Sequence, residues 1–279
     1  FPYTTLFRSL SLNYGQEQMT SYISWDQKFR NQIAYVSRVG ESAGKMYGFV
    51  YDGTYKEEDF NITVNENGKK TYELKPGVPK FKDGCQPGDP KYKNIDGSED
   101  NLITDNDRTV IGNGHPLHTG GFTNNFVYKN WDLNIFLQWS YGNDVFNVNR
   151  LVMENPGAKK QLNQFASYKN RWSESNPTSN IPRVRAVGAD EYSSLYVEDG
   201  SFLKLKTISL GYNFDTKTLK RIGLSAARVF VSAENIATIT GYSGSDPEVS
   251  TRHSVLTPGF DWSAYPRAFN ASLGVNVTF

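Results

Sequence analysis

The 279-residue chain has a single cysteine, Cys85, so no disulfide can close within it. Its three histidines do not make a zinc site either. His115 and His118 lie in a Gly/Pro-rich stretch with no further His or Cys beside them, and His253 stands alone. Neither charge is in excess: 30 Lys+Arg face 29 Asp+Glu, a formal +1. A nucleic-acid binder needs a basic face to neutralise phosphates, so nucleic acid is excluded as a partner. Long apolar runs are missing too. The longest is four residues, Ile33 to Val36, whereas a helix crossing a bilayer needs about 20. No nucleophile elbow and no base paired with an orienting group is found. The turn glycines at Gly112-Asn113-Gly114 and Gly120-Gly121 open no helix that would cradle a phosphate. The chain reads as a non-enzyme with no catalytic residues. Phe1 stands in the first position, and no charged-then-apolar leader follows it, which reads as a fragment or a processed product.

What the chain does have is aromatics and alternation. Seventeen Phe, 17 Tyr and 5 Trp accompany 25 Asn and 24 Gly, unlike a core built on Leu, Ile and Val. At the C-terminus, Phe269, Ala271, Leu273, Val275, Val277 and Phe279 alternate with Asn270, Ser272, Gly274, Asn276 and Thr278. This period of two is a strand with one apolar face. Its other face is small and neutral, as on the interior wall of a barrel, where bulk water would favour Lys or Glu. Trp131, Leu133, Ile135, Leu137 and Trp139 repeat the pattern, with Asp132, Asn134, Phe136, Gln138 and Ser140 opposite. An aromatic at each end with aliphatics between them suits a strand crossing a bilayer, because Trp and Tyr settle at headgroup level. On that strand alone, a sandwich strand with core tryptophans reads as well. Further strands are expected near Ser9–Gly15, Tyr22–Val36, Lys45–Tyr51, Gly120–Tyr128, Ser201–Phe214 and Ala227–Asn235, about eight in all.

The connections separate the two readings. Lys129-Asn130 and Asp215–Gly223 are short, whereas Asp52–Thr119, Gly142–Gly200 and Ile236–Arg267 are long. In an up-and-down barrel all three long ones fall on one side. Outer-membrane barrels have this asymmetry of short turns and long extracellular loops. The rival is a secreted soluble β-sandwich that binds glycans through its aromatics. It expects strands nearer 5–6 residues than the 9–11 of membrane strands.

Several stretches then resemble one family in order along the chain: Val39–Tyr55, Gly88–Asn113, Tyr128–Asn147, Tyr196–Tyr212, Val229–Val249 and Tyr265–Phe279. Together they resemble the C-terminal part of the SusC/RagA family of TonB-linked outer-membrane transporters. The resemblance implies an all-β fold, an antiparallel transmembrane β-barrel of 22 strands. Residues 1–279 would be roughly its last third, without the plug and the TonB-contacting segment. It implies import of a bulky solute, oligosaccharide or peptide, across the outer membrane of a Bacteroidota-type bacterium. A SusD-type surface lipoprotein, TonB and outer-membrane lipid are the implied partners. Asn134, Gln138, Asn270 and Asn276 would face the lumen.

One stretch carries metal chemistry of its own. Asp96, Ser98 and Asp100 stand at positions 1, 3 and 5 of a twelve-residue loop, with the Leu102 carbonyl at 7, Thr104 at 9 and Asp107 at 12. That is the spacing of an oxygen-only calcium site. Asn101 replaces the usual glycine at position 6, Asp107 replaces glutamate, and no amphipathic helices flank the loop. The other reading is a solvated acidic loop. The aromatics of the long connections, Trp172, Tyr192, Tyr196, Tyr242, Phe260, Trp262 and Tyr265, either stack on sugar rings or a lid protein, or pack against one another.

Overall fold

The computed structural model describes residues 19–21, 34–38, 40–155, 163–251 and 255–279. The expected strand at Ser9–Gly15 and most of that at Tyr22–Val36 lie outside them. In chain order the first strands are β1 (Met19–Ser21), β2 (Tyr35–Ser37), β3 (Lys45–Phe49), β4 (Tyr51–Thr54), β5 (Phe60–Val64), β6 (Lys70–Leu74), β7 (Pro90–Tyr92) and β8 (Arg108–Asn113). Then come β9 (His118–Tyr128), β10 (Trp131–Tyr141), β11 (Asp144–Asn147), β12 (Val197–Asp199), β13 (Phe202–Asn213), β14 (Ala226–Thr240), β15 (Phe260–Asp261) and β16 (Asn270–Thr278). Among the described residues there are also two short α-helices, α1 (Val148–Met153) and α2 (Thr216–Lys220), and four turns of 3-10 helix. No helix among the described residues is long and apolar enough to cross a membrane.

The described residues fall into two compact units. The first holds those up to His115, with Val145–Val197 and Ser250–Ser263; the second holds Pro116–Asp144, Glu198–Val249 and Ala264–Phe279.

The second unit is a wall of five antiparallel strands in the order β16-β14-β13-β10-β9. They run 9, 15, 12, 11 and 11 residues, lengths that suit a membrane crossing better than a sandwich. Register alone places every side chain on a face. Ile135 lies beside Ile208, and Ile208 beside Ala233; Leu133 lies between Phe126 and Leu210, followed by Val231 and Leu273. The other face carries Asn125, Asn134, Ser209, Ser232 and Ser272 in one row. The alternation read in single strands thus continues across the sheet, except that Asn124 lies beside Ile135 on the apolar face and Val127, Phe136 and Phe230 lie on the polar one.

Turn chemistry sets that register. Lys129 takes the left-handed backbone (φ 54°), and the chain reverses so that Tyr128 pairs with Trp131. The link at Asp215–Gly223 is a capped helical turn. Asp215 accepts the Lys217 N–H at 3.1 Å, and Gly223 (φ 77°) ends the turn.

Two sequence boundaries move. The strand expected to end at Asn235 continues to Thr240. Thr207 pairs with Glu234 but Leu205 with Ala237, so Lys206 faces two residues, Asn235 (φ 53°) and Ile236. This β-bulge breaks the alternation locally and restores it beyond. The expected strand at Lys45–Tyr51 divides at Val50 into β3 and β4, and both belong to the first unit.

That first unit orders the long connections. β3 pairs with β2 and β8, β4 with β7, β5 with β6, and β11 lies parallel to β15. Its core is aromatic: Phe146 meets Tyr192 edge-on at 5.1 Å and Phe260 at 5.9 Å, and Phe49, Tyr92 and Phe81 form a second cluster. Such pairs add about 0.5–1.5 kcal/mol each beyond their buried area.

Candidate functional site

The polar face of the wall is the largest coherent site. At the end near the tight turn, Asp132 and Arg228 form a two-pronged pair, Nη2 to Oδ2 at 2.5 Å and Nε to Oδ1 at 3.2 Å. Asn213 donates to the same carboxylate at 2.9 Å. Arg228 sits two strands from Asp132 and reaches it across Gly211, where a Cβ would collide with both side chains. Midway, the Ser232 and Ser272 hydroxyls meet at 2.7 Å, and Asn134 donates to Asn125 at 2.5 Å. At the far end, Lys204 is buried with the carboxylates of Asp246 and Glu248 against its ammonium. Gln138 Nε2 donates to Glu248 at 3.5 Å. Asn134, Gln138, Asn270 and Asn276 all fall on this face by register.

The apolar face carries an aromatic group at each end. Trp131 packs on Tyr212 at 4.8 Å between ring centroids, next to the exposed Tyr128. At the other end His118 stacks on Tyr141 at 5.2 Å, and the Trp139 indole N–H donates to His118 Nδ1 at 3.3 Å. The indole lies over Gly120, where a Cβ would run into the ring. Between the two ends Phe122, Phe126, Leu210, Val231 and Leu273 are exposed, with Asn124 lying among them beside Ile135, a grouping unlike scattered surface residues.

The twelve-residue loop lies in the first unit, and its carboxylates turn to the backbone. Asp107, fully buried, accepts the N–H groups of Ile95 (2.7 Å), Asp96 (3.1 Å) and Thr104 (2.8 Å). Asp100 accepts from the Leu102 N–H and, to a lesser effect, the Ser98 hydroxyl, which hold its carboxyl below the ordinary value. Asp96 accepts the Ser98 N–H at 2.8 Å. Asn101 does take a left-handed backbone (φ 53°), and Ile103 is buried in the loop's anchor. Among the described residues, no three His, Cys, Asp or Glu side chains gather closely enough to hold a metal ion. Beside the loop lies an open cavity of about 700 Å³, lined by Asp52, Lys91, Lys93, Asn94, Ser98 and Asn101 among others.

The loop aromatics mostly pack against their own unit. Tyr192, Tyr196 and Phe260 are core residues with Trp262 against them, Trp172 covers Gly88, and Tyr242 lies on Gly244. Only Tyr265 stands clear of the protein, at 93% exposure. Sequence reasoning missed Lys204 with Asp246 and Glu248 altogether, because nothing local in β13 marks which of its lysines is paired or with what.

No protein-family model matches the chain. It is 32% identical over 256 residues to TonB-dependent receptor P3 of Formosa agariphila, an alignment covering 90% of this chain and 24% of that receptor. It is 30% identical over 164 residues to TonB-dependent receptor SusC of Bacteroides thetaiotaomicron, covering 57% of this chain and 15% of SusC. Among solved structures it resembles the RagAB peptide importer in its closed-closed state, with a TM-score of 0.65 at 20% identity, over 96% of this chain and 25% of that one. That likeness is one of fold, an antiparallel all-β barrel wall with elaborated long connections. The chain spans about a quarter of the length of the P3 receptor it matches.

Proposed function

We propose that this chain, which is similar to TonB-dependent receptors including SusC, forms part of the barrel of a SusC/RagA-type outer-membrane importer. Residues 1–279 are in this reading one C-terminal stretch of that barrel. The apolar face meets outer-membrane lipid, the polar face lines the lumen, and the long connections lie outside the cell. The solute is bulky, an oligosaccharide or a peptide. A SusD-type lipoprotein delivers it, and TonB supplies the force through a segment outside this chain. The chain binds and passes the solute and transforms nothing.

The observation that carries this reading is the register of the five-stranded wall. Most polar side chains share one face and most apolar ones the other, with Asn124 on the apolar face and Val127, Phe136 and Phe230 on the polar one, and aromatic groups lie at both ends of the apolar face. The neutral, amide- and hydroxyl-rich lumen face suits passage of a hydrated solute without trapping it. Four of the charges on this face are paired or clustered, Asp132 with Arg228 and Lys204 with Glu248, and Glu234 lies on the same face beside Asn270.

Deleting the full-length gene and following uptake of fluorescent oligosaccharides and peptides tests the function. Loss of uptake of one class, restored by the intact gene, is the expected result. Unchanged uptake of both classes refutes import of such solutes. Recovery of the protein as a freely soluble species would favour the glycan-binding sandwich.

A further inference from the structure

Lys204 is out of place on the wall. Its neighbours along the polar face of β13 are Thr207, Ser209 and Gly211, and in register it lies between Gln138 and Thr238. A long cation there would ordinarily reach into water, yet only 2% of Lys204 is exposed. Its partners come from the segment that follows β14. Asp246 Oδ1 lies 3.4 Å from Nζ, and Glu248 Oε2 is closer still. These two carboxylates are themselves held together. Glu248 N–H donates to Asp246 Oδ1 at 3.0 Å, and the buried Pro247 between them fixes the local backbone. Arg267, just before β16, donates its backbone N–H to Asp246 at 3.3 Å and places its guanidinium 3.6 Å from Glu248. A second fastening lies upstream, where the N–H and hydroxyl of Ser243 both donate to Glu198 at 2.8 Å.

We infer that residues 242–249 form a strap laid over the polar face of the wall, and that Lys204 is the latch that fastens it. Two cations and two carboxylates sum to zero charge in the closed strap. Lifting it separates charges that are largely out of water, so each must be rehydrated together with the other. Breaking such a pair from one side leaves an uncompensated buried charge, which makes the strap a two-state element, fastened or free. Lys204 is therefore a positioning residue. It sets where the chain leaves the wall after Thr240 and how far that stretch covers the polar face. The inference rests on the geometry of the second unit alone and does not depend on which solute passes or whether one does.

The strap carries its own probe, because the protease Glu-C cleaves after glutamate and Glu248 is shielded while the latch is closed. The full-length receptor assembled in outer-membrane vesicles is digested with Glu-C, and the fragment beginning at Val249 is followed by mass spectrometry. Lys204→Met should raise its rate of appearance at least tenfold, with the barrel still running as a heat-modifiable band. Lys204→Arg, which keeps the cation, should stay within about twofold of the unaltered receptor. If Lys204→Met does not assemble, Asp246→Asn carries the same test and should raise cleavage at least threefold. Cleavage after Glu248 that is as fast in the unaltered receptor as in Lys204→Met, or in Asp246→Asn where that variant stands in for it, overturns the latch. So does a Lys204→Arg receptor that loses protection fully.

Discussion

Replacing Ile135 with arginine probes the wall where its two faces differ most. Trp131 and Trp139 lie eight residue steps apart on β10, about 27 Å along the strand at about 3.4 Å per residue. A tilt of about 40° turns this into about 21 Å along the membrane normal, close to the roughly 25 Å apolar band of such barrels. Ile135 sits midway, about 10 Å from either aromatic group, with Ile208 beside it. Arginine at that depth on the lipid face costs about 2–4 kcal/mol, a factor of about 30 to 800 in the folding equilibrium. One residue earlier, Asn134 faces the other way and donates to Asn125. Arginine there loses one amide contact, worth about 0.5–1.5 kcal/mol, and keeps its charge in water. Urea titration of the full-length receptor in lipid vesicles, with the heat-modifiable band as readout, measures both. Ile135→Arg should be the more destabilising, by about 0.5–3.5 kcal/mol. Equal losses, or the reverse order, would refute the assignment of faces.

Other perturbations follow from the same geometry. Phe279 ends the alternating strand with 89% of its surface exposed, and its removal should reduce assembled barrel more than Asn276→Ala does, as read by band shift after expression; equal assembly would count against a role for the terminal aromatic. Asp107→Ala removes the acceptor for three N–H groups, so the loop 96–107 should become protease-sensitive, whereas Asp105→Ala, whose exposed carboxylate contacts Arg108, should leave it protected. We also propose that calcium binds this loop through Asp96, Ser98, Asp100, Leu102, Thr104 and Asp107, and protection that rises with millimolar calcium and disappears in Asp96→Ala is the expected result; protection indifferent to calcium removes that proposal. The Asp100 carboxyl lies below its ordinary value of 3.8, so its contribution to loop order is fully present above that value and is lost as pH falls through the lowered one. Protection of the Leu102 amide, its exchange relative to the intrinsic rate at each pH, should fall on acidification across that range, and an intact chain whose protection does not fall towards that of Asp100→Ala would contradict it.

The wall was legible because its information is local. Trp131 to Trp139 and Phe269 to Phe279 each announce a face through a period of two, and the Lys129-Asn130 reversal lies between two such runs. Legibility failed where the period failed. At Asn235 and Ile236 the bulge adds a residue, so β14 reads as ending five residues early although it continues to Thr240. Composition marked the long connections as aromatic but could not assign the rings, because core packing and ligand stacking ask for the same residues. Burial decided it for Tyr192, Tyr196 and Phe260, which sit in one core. The latch was invisible for a different reason. Lys204 is 42 and 44 residues from its two carboxylates, and nothing local signals a pairing made by tertiary structure. The loop 96–107 shows how spacing underdetermines chemistry. The positions that suit calcium also suit carboxylates closing turns on their own backbone.

Site-directed spin labelling along β10 tests most directly whether this wall divides lipid from water. Single cysteines at successive positions from Trp131 to Tyr141, in full-length receptor carrying Cys85→Ser and reconstituted in vesicles, are labelled. Each label is then probed with oxygen, which concentrates in lipid, and with a water-soluble nickel complex. Odd-numbered positions should favour oxygen and even-numbered positions nickel, with oxygen contact greatest near Ile135. A flat profile, or nickel access at Leu133, Ile135 and Leu137 equal to that at Asn134, Phe136 and Gln138, would contradict a membrane-spanning wall.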